Sequence, residues 1–138
     1  MKWLITLTSV AILMSACGKD SAPSSPTNPE GAAALSVDTA VLERIGDASD
    51  FETTAAKPYA ALGCARGEVE ELDVLVCHYA DAAAADAAAK SLREFVAGAL
   101  SGLVRQAGSD LMAIADRKEV DPKGERISRL TRAFAPEP

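Results

Sequence analysis

The sequence predicts an α+β domain: a four-stranded antiparallel sheet made of two hairpins, in the order ββαββα, with its helices on one face and a short helix in front. Three observations carry this. Two stretches, around 64–79 and 103–115, hold strand-like apolar runs broken by short polar turns. The stretch from Asp81 is alanine-rich and then turns amphipathic at helical spacing. A last segment repeats that spacing near the carboxyl end, with Ile127, Leu130 and Phe134 three and four residues apart.

Taken in order, Ser36 or Asp38 opens the short leading helix, whose apolar positions are Val41, Leu42 and Ile45 and whose end falls at Gly46. Residues 47–58 lack periodicity and read as a loop. In the first hairpin the turn is centred between Glu70 and Glu71, which sets Cys64 directly opposite Cys77. Such a pair lies about 4.5 to 5.5 Å apart at Cα, within disulfide reach. The return strand, Leu72 to Tyr79, is apolar on both sides beyond its tip, as expected of a central strand covered above and below. His78 shares a face with Val74 and Val76 and reads as a packed residue with one nitrogen satisfied.

Asp81 can accept an orphan amide of the first helical turn, and the alanines after it have the highest helix propensity of any residue. Leu92, Phe95, Val96 and Leu100 form the expected stripe, with Gly98 or Gly102 as terminator. Leu103–Gln106 and Leu111–Ala115 make the second hairpin around residues 107–110. Asp121-Pro122 reads as cap and first residue of the last helix, and Pro136 stops it.

The amino-terminal end has a different character. Lys2 precedes an apolar run from Trp3 to Met14, then Ser15, Ala16 and Cys17. This is the layout of an export signal. At 1.5 Å per residue the run would span about 18 Å, short of the roughly 30 Å hydrocarbon layer. The segment Leu13-Met14-Ser15-Ala16-Cys17 resembles the lipobox of bacterial lipoproteins. The resemblance implies diacylglycerol on the Cys17 sulfur, cleavage just before it, and acylation (palmitate or a similar chain) of the new amine. It thus divides the chain into a signal peptide (1–16), a lipidated cysteine with a flexible tether (17–31) and one small domain (32–138). The tether carries Pro23, Pro26 and Pro29 and almost no bulky apolar side chain, so it cannot offset the entropy of ordering. Where lipoproteins are sorted by an Asp after the cysteine, Gly18 implies the outer membrane, facing the periplasm.

Once Cys17 carries lipid, Cys64 and Cys77 remain, in a chain addressed to an oxidising compartment; a structural disulfide is the expectation. No cofactor motif, zinc spacing, phosphate-binding glycine loop or serine elbow occurs. Glu68, Glu70, Glu71 and Asp73 gather at the hairpin tip without the glycine-spaced calcium loop and read as a solvated tip. With His78 the lone histidine, hydrolysis would rest on carboxylates, and no enzyme is expected. Acidic side chains number 20 against 14 basic ones in the whole chain, or 20 against 13 without Lys2, a balance that repels nucleic acid. The expected function is a lipid-anchored, non-catalytic interaction module for another cell-envelope component, a protein or the cell wall. The alternative is a small-molecule or ion-binding lipoprotein. The aromatic side chains of residues 32–138 are Phe51, Tyr59, Tyr79, Phe95 and Phe134, few from which to build a ligand pocket.

Metabolic labelling with a fatty acid should mark the protein, and Cys17→Ser should abolish the label and delay processing. Full membrane association by the Cys17→Ser protein would rule out the anchor, because a cysteine with several acyl chains holds far more firmly than the single chain that binds marginally.

Overall fold

The computed structural model describes residues 36–138, so the signal peptide, Cys17 and the tether lie outside the described residues. Helix α1 (Thr39–Glu43) is followed by a 3-10 turn (Ala48–Asp50), strand β1 (Phe51–Thr54) and a second 3-10 turn (Lys57–Tyr59). Then come β2 (Gly63–Val69), β3 (Leu72–His78), α2 (Ala82–Val96), β4 (Ser101–Ala107), β5 (Asp110–Asp116) and α3 (Glu125–Phe134). The protein is α+β, with an open antiparallel sheet of five strands in the order β1-β2-β3-β5-β4.

Both expected hairpins are present. β2 and β3 pair with Cys64 opposite Cys77 and Val69 opposite Leu72, so Glu70 and Glu71 form the two-residue turn. Both glutamates have positive φ, 52° and 68°, the backbone that a tight primed hairpin turn demands and that glycine or asparagine adopts more easily. The second hairpin turns at Gly108-Ser109, with Ala107 opposite Asp110 and Gly108 at φ 59°. Between the hairpins α2 crosses over from β3 to β4, and β5 folds back to pair with both. β3 and β4 therefore run in the same direction with β5 between them, a split β-α-β unit.

The sheet differs from the expectation in two respects. The loop expected at 47–58 contains a fifth strand, β1, paired with β2 from Phe51–Gly67 to Thr54–Cys64. Its short polar sequence, Phe-Glu-Thr-Thr, has no alternation to read because it sits at the edge with one side in solvent. The helices also cover both faces rather than one. Val74, Val76, Met112 and Ile114 point to one face, where α1 (Val41, Leu42) and α3 (Ile127, Leu130, Phe134) close over them. Leu75, Cys77, Leu111, Ala113 and Ala115 point to the other, under Ala85, Ala88, Leu92 and Phe95 of α2. The cause is visible in β3 and β5: successive side chains alternate faces and nearly all are apolar, so a single helical layer would leave one apolar face in water.

Local boundaries follow from capping and close approach. Asp81 accepts from the Ala84 amide at 2.8 Å, and Asp38 accepts from the Ala40 amide at 2.9 Å. α2 stops at Val96, and Gly98 (φ 79°) follows in the left-handed region. Gly102 is not a terminator: it lies within β4, where a Cβ would stand 2.6 Å from the Ile114 carbonyl oxygen and 3.1 Å from Val96 Cβ. Leu100, expected on the α2 stripe, falls beyond the helix and is 62% exposed. α3 begins at Glu125, three residues later than the Asp-Pro signal suggested, with Gly124 as the residue before it. Asp121 still serves the helix, accepting from the Ile127 amide at 2.9 Å.

Cys64 and Cys77 form a disulfide, with Cα atoms 4.1 Å apart, beneath α2. Both are essentially inaccessible. The bond staples β2 to the central strand across a short loop, which contributes roughly 3 kcal/mol by restricting the unfolded chain. Chemical denaturation of the Cys64→Ala, Cys77→Ala protein should show a loss on the order of that 3 kcal/mol; an unchanged midpoint would contradict the stapling role.

Candidate functional site

α2 packs on β4, β5 and the turn at 57–59. The β1–β2 end of the same face extends past it, and there an open groove of about 320 Å³ forms beside the edge strand. Gly67 lines it; on the other side of the sheet, where a side chain of Gly67 would point, the chain before β1 passes so closely that a Cβ would meet the Asp50 carbonyl oxygen at 2.5 Å and the Phe51 ring at 3.0 Å. Only a residue without a side chain fits that crossing. Ser49 and Asp50 of the 3-10 turn and Glu52, Thr53 and Thr54 of β1 line one side. Arg66 and Asp73, from β2 and β3, line the other.

A network of cations anchors the far wall. Nε of Arg117 donates to Asp73 Oδ2 at 3.0 Å, while the other guanidinium nitrogens donate to the carbonyls of Phe95 and Ala97. One side chain thus caps the carboxyl end of α2, where cations are favoured, and ties it to β3. Two guanidinium groups lie over the Phe95 ring, Arg66 at 5.3 Å and Arg117 at 5.4 Å from its centre. Arg66 is about half exposed, and its carboxylate partner, Asp73, is 3.8 Å away. Among the described residues Asp50 and Glu52 have no ion-pair partner. The groove can therefore offer hydroxyls, two free carboxylates and one partly engaged guanidinium to a polar, extended ligand.

The acidic hairpin tip is exposed, as expected, and cations engage its carboxylates. Lys118 Nζ donates to Glu68 at 2.6 Å, which raises the lysine above its ordinary range. Arg129 pairs with the Glu70 carboxylate; Arg126 donates to the Glu70 carbonyl at 2.8 Å and to Glu71 at 3.4 Å. The turn with two left-handed glutamates is thereby clasped by α3. Among the described residues no cluster of three or more His, Cys, Asp or Glu side chains is placed to hold a metal ion. His78 sits at the opposite end of β3 from the tip, its Nδ1 2.8 Å from Asp110 Oδ1 across the β3–β5 pair. The Tyr79 hydroxyl donates to the Tyr59 carbonyl at 3.1 Å; burial, and secondarily the neighbouring Tyr59, push its pKa up to about 12.

Arg66, Glu52 and Thr53 escaped the sequence reading because β1 has no periodic signal and its partner is set only by the fold. Arg66 was visible merely as a charge within the first hairpin. Comparison with protein families, curated proteins and solved structures finds no significant match to this chain. Among the described residues no helix is long and apolar enough to cross a membrane.

Two buried carboxylates set the loop between β5 and α3. Asp116 accepts from the amides of Val120 (3.1 Å) and Asp121 (2.9 Å), and Asp121 in turn accepts from Ile127. Burial opposes the ionisation of each, but the converging backbone amides outweigh it and hold both carboxyls below their ordinary value of 3.8. Because the folded-state values lie below the unfolded ones, the stability they contribute is present above the unfolded value and is lost as pH falls through the folded values. Thermal unfolding should show a melting temperature that declines as pH drops below about 4. Asp121→Asn should melt lower at neutral pH and decline less on acidification; an acid limb identical to that of the parent would exclude this linkage.

Proposed function

We propose that the protein is a lipid-anchored component of the cell envelope whose domain acts, without catalysis, as an interaction module for another envelope component. The anchor rests on the likeness of residues 13–17 to a lipobox, with the outer membrane following from Gly18. The module reading rests on one observation: the groove lies beside a sheet edge and is lined by polar and charged side chains, with no apolar wall. Small-molecule sites enclose most of their ligand and are predominantly apolar. An open polar trough along a strand edge suits a macromolecular partner better, which favours the module over the small-molecule or ion-binding alternative.

Site-specific photocrosslinking in the native envelope tests this. A photoreactive residue at Thr53 should yield a discrete adduct that disappears with Cys17→Ser. The same residue at Lys90, exposed on α2, should yield none. Identical patterns from both positions, or no adduct from Thr53, would discard the module reading.

A further inference from the structure

Resting on the reading of the domain as an interaction module, we propose that its partner contributes an extended, basic peptide segment that adds to β1 as a sixth strand. The register defines what the edge offers. The 4.1 Å Cα separation of Cys64 and Cys77 marks a non-hydrogen-bonded pair, so the main-chain groups of Cys64 and Arg66 point away from β3, toward β1. Their partners Thr54 and Glu52 are therefore the hydrogen-bonded residues of β1, and Phe51 and Thr53 direct their main-chain groups outward. The Phe51 amide is already spent on the Ala48 carbonyl. Among the described residues this leaves the Thr53 N–H and C=O, with the Phe51 C=O, as an unpaired edge of the kind that accepts an added strand.

Charge chooses the occupant. Among the described residues Asp50 and Glu52 flank this edge without an ion-pair partner, Arg66 opposite Glu52 being paired with Asp73 instead, in a chain of net charge −6. A lysine or arginine opposite Glu52 would gain a cross-strand ion pair. A second copy of β1 would instead bring its own Asp50 and Glu52 to the same edge, and like charges across a strand pair repel. The outward position of the Thr53 amide also supplies the control, because proline is tolerated in an edge strand where the lost N–H faced solvent.

The test titrates the full chain, isotopically labelled in detergent micelles, with the blocked peptide acetyl-Thr-Lys-Val-Lys-Thr-amide and with its Glu-for-Lys counterpart. The basic peptide should shift the amides of Glu52, Thr53 and Thr54 saturably and bind at least about tenfold tighter than the acidic one, a difference of about 1.4 kcal/mol. Thr53→Pro should abolish binding with its circular dichroism unchanged. Methylating the amide nitrogen of the peptide's valine, which antiparallel addition sets opposite Thr53 when the lysines face Glu52, should also abolish it, a readout that does not depend on any variant folding. Equal response to both peptides, no response to either, or retained binding of the methylated peptide would overturn the proposal. So would self-association of the chain that Thr53→Pro removes, which would assign the edge to a second copy. A Thr53 crosslink in the envelope together with no peptide response would leave the module standing and remove the basic strand.

Discussion

Strands β3 and β5 are apolar on both faces, and most of the architecture follows from that. Leu72, Val74, Leu75, Val76 and Cys77 on one, and Leu111 to Ala115 on the other, are almost wholly excluded from solvent. Side chains alternate sides along a strand, so burying all of them takes a layer above and a layer below. α2 supplies one layer and α1 with α3 the other. The crossover that carries α2 from β3 to β4 also makes room for β5 in the middle, which gives each of the two apolar strands a neighbour on either side. The outer positions then fall to β1 and β4, whose sequences are more polar or more exposed.

Electrostatics finishes what packing begins. The sharp Glu70-Glu71 turn imposes a backbone that disfavours side-chain-bearing residues. It is held by Arg126 and Arg129, which α3 brings over the tip only because Ile127 and Leu130 are docked on the sheet beside them. At the other end of the groove wall, Arg117 joins the end of α2 to Asp73 and presses against Phe95. Among the described residues, Asp50, at the end of the turn before the edge strand, and Glu52, within it, have no ion-pair partner and lie beside main-chain groups that also lack one. This coincidence of open backbone and free charge distinguishes that edge from a merely solvated surface.

The loop between β5 and α3 illustrates a different use of carboxylates. Asp116 and Asp121 are buried and would be costly alone, yet each collects several backbone amides that a turning chain would otherwise leave unpaired. The loop is therefore ordered from within, and it sets where α3 starts. The Asp-Pro pair still works as a helix-start signal, displaced by one turn because Asp121 is occupied in capping from outside the helix.

What the sequence determined by itself is local or symmetric. The first hairpin and its register followed from two cysteines equidistant from one turn, α2 from its cap and alanines, the second hairpin from a glycine-centred break, and α3 from its stripe. Each of these depends on contacts between residues near in the chain, which leave periodic traces. The lipid anchor at Cys17 was likewise read from a contiguous motif and remains a proposal. Only the tertiary structure decided that the sheet has a fifth strand, that helices cover both faces, that β5 inserts between β3 and β4, and that Asp50, Glu52, Thr53 and Arg66 share a groove. Those outcomes depend on partners far apart in sequence, on the order in which strands stack, and on a four-residue edge segment too short and too polar to carry a period.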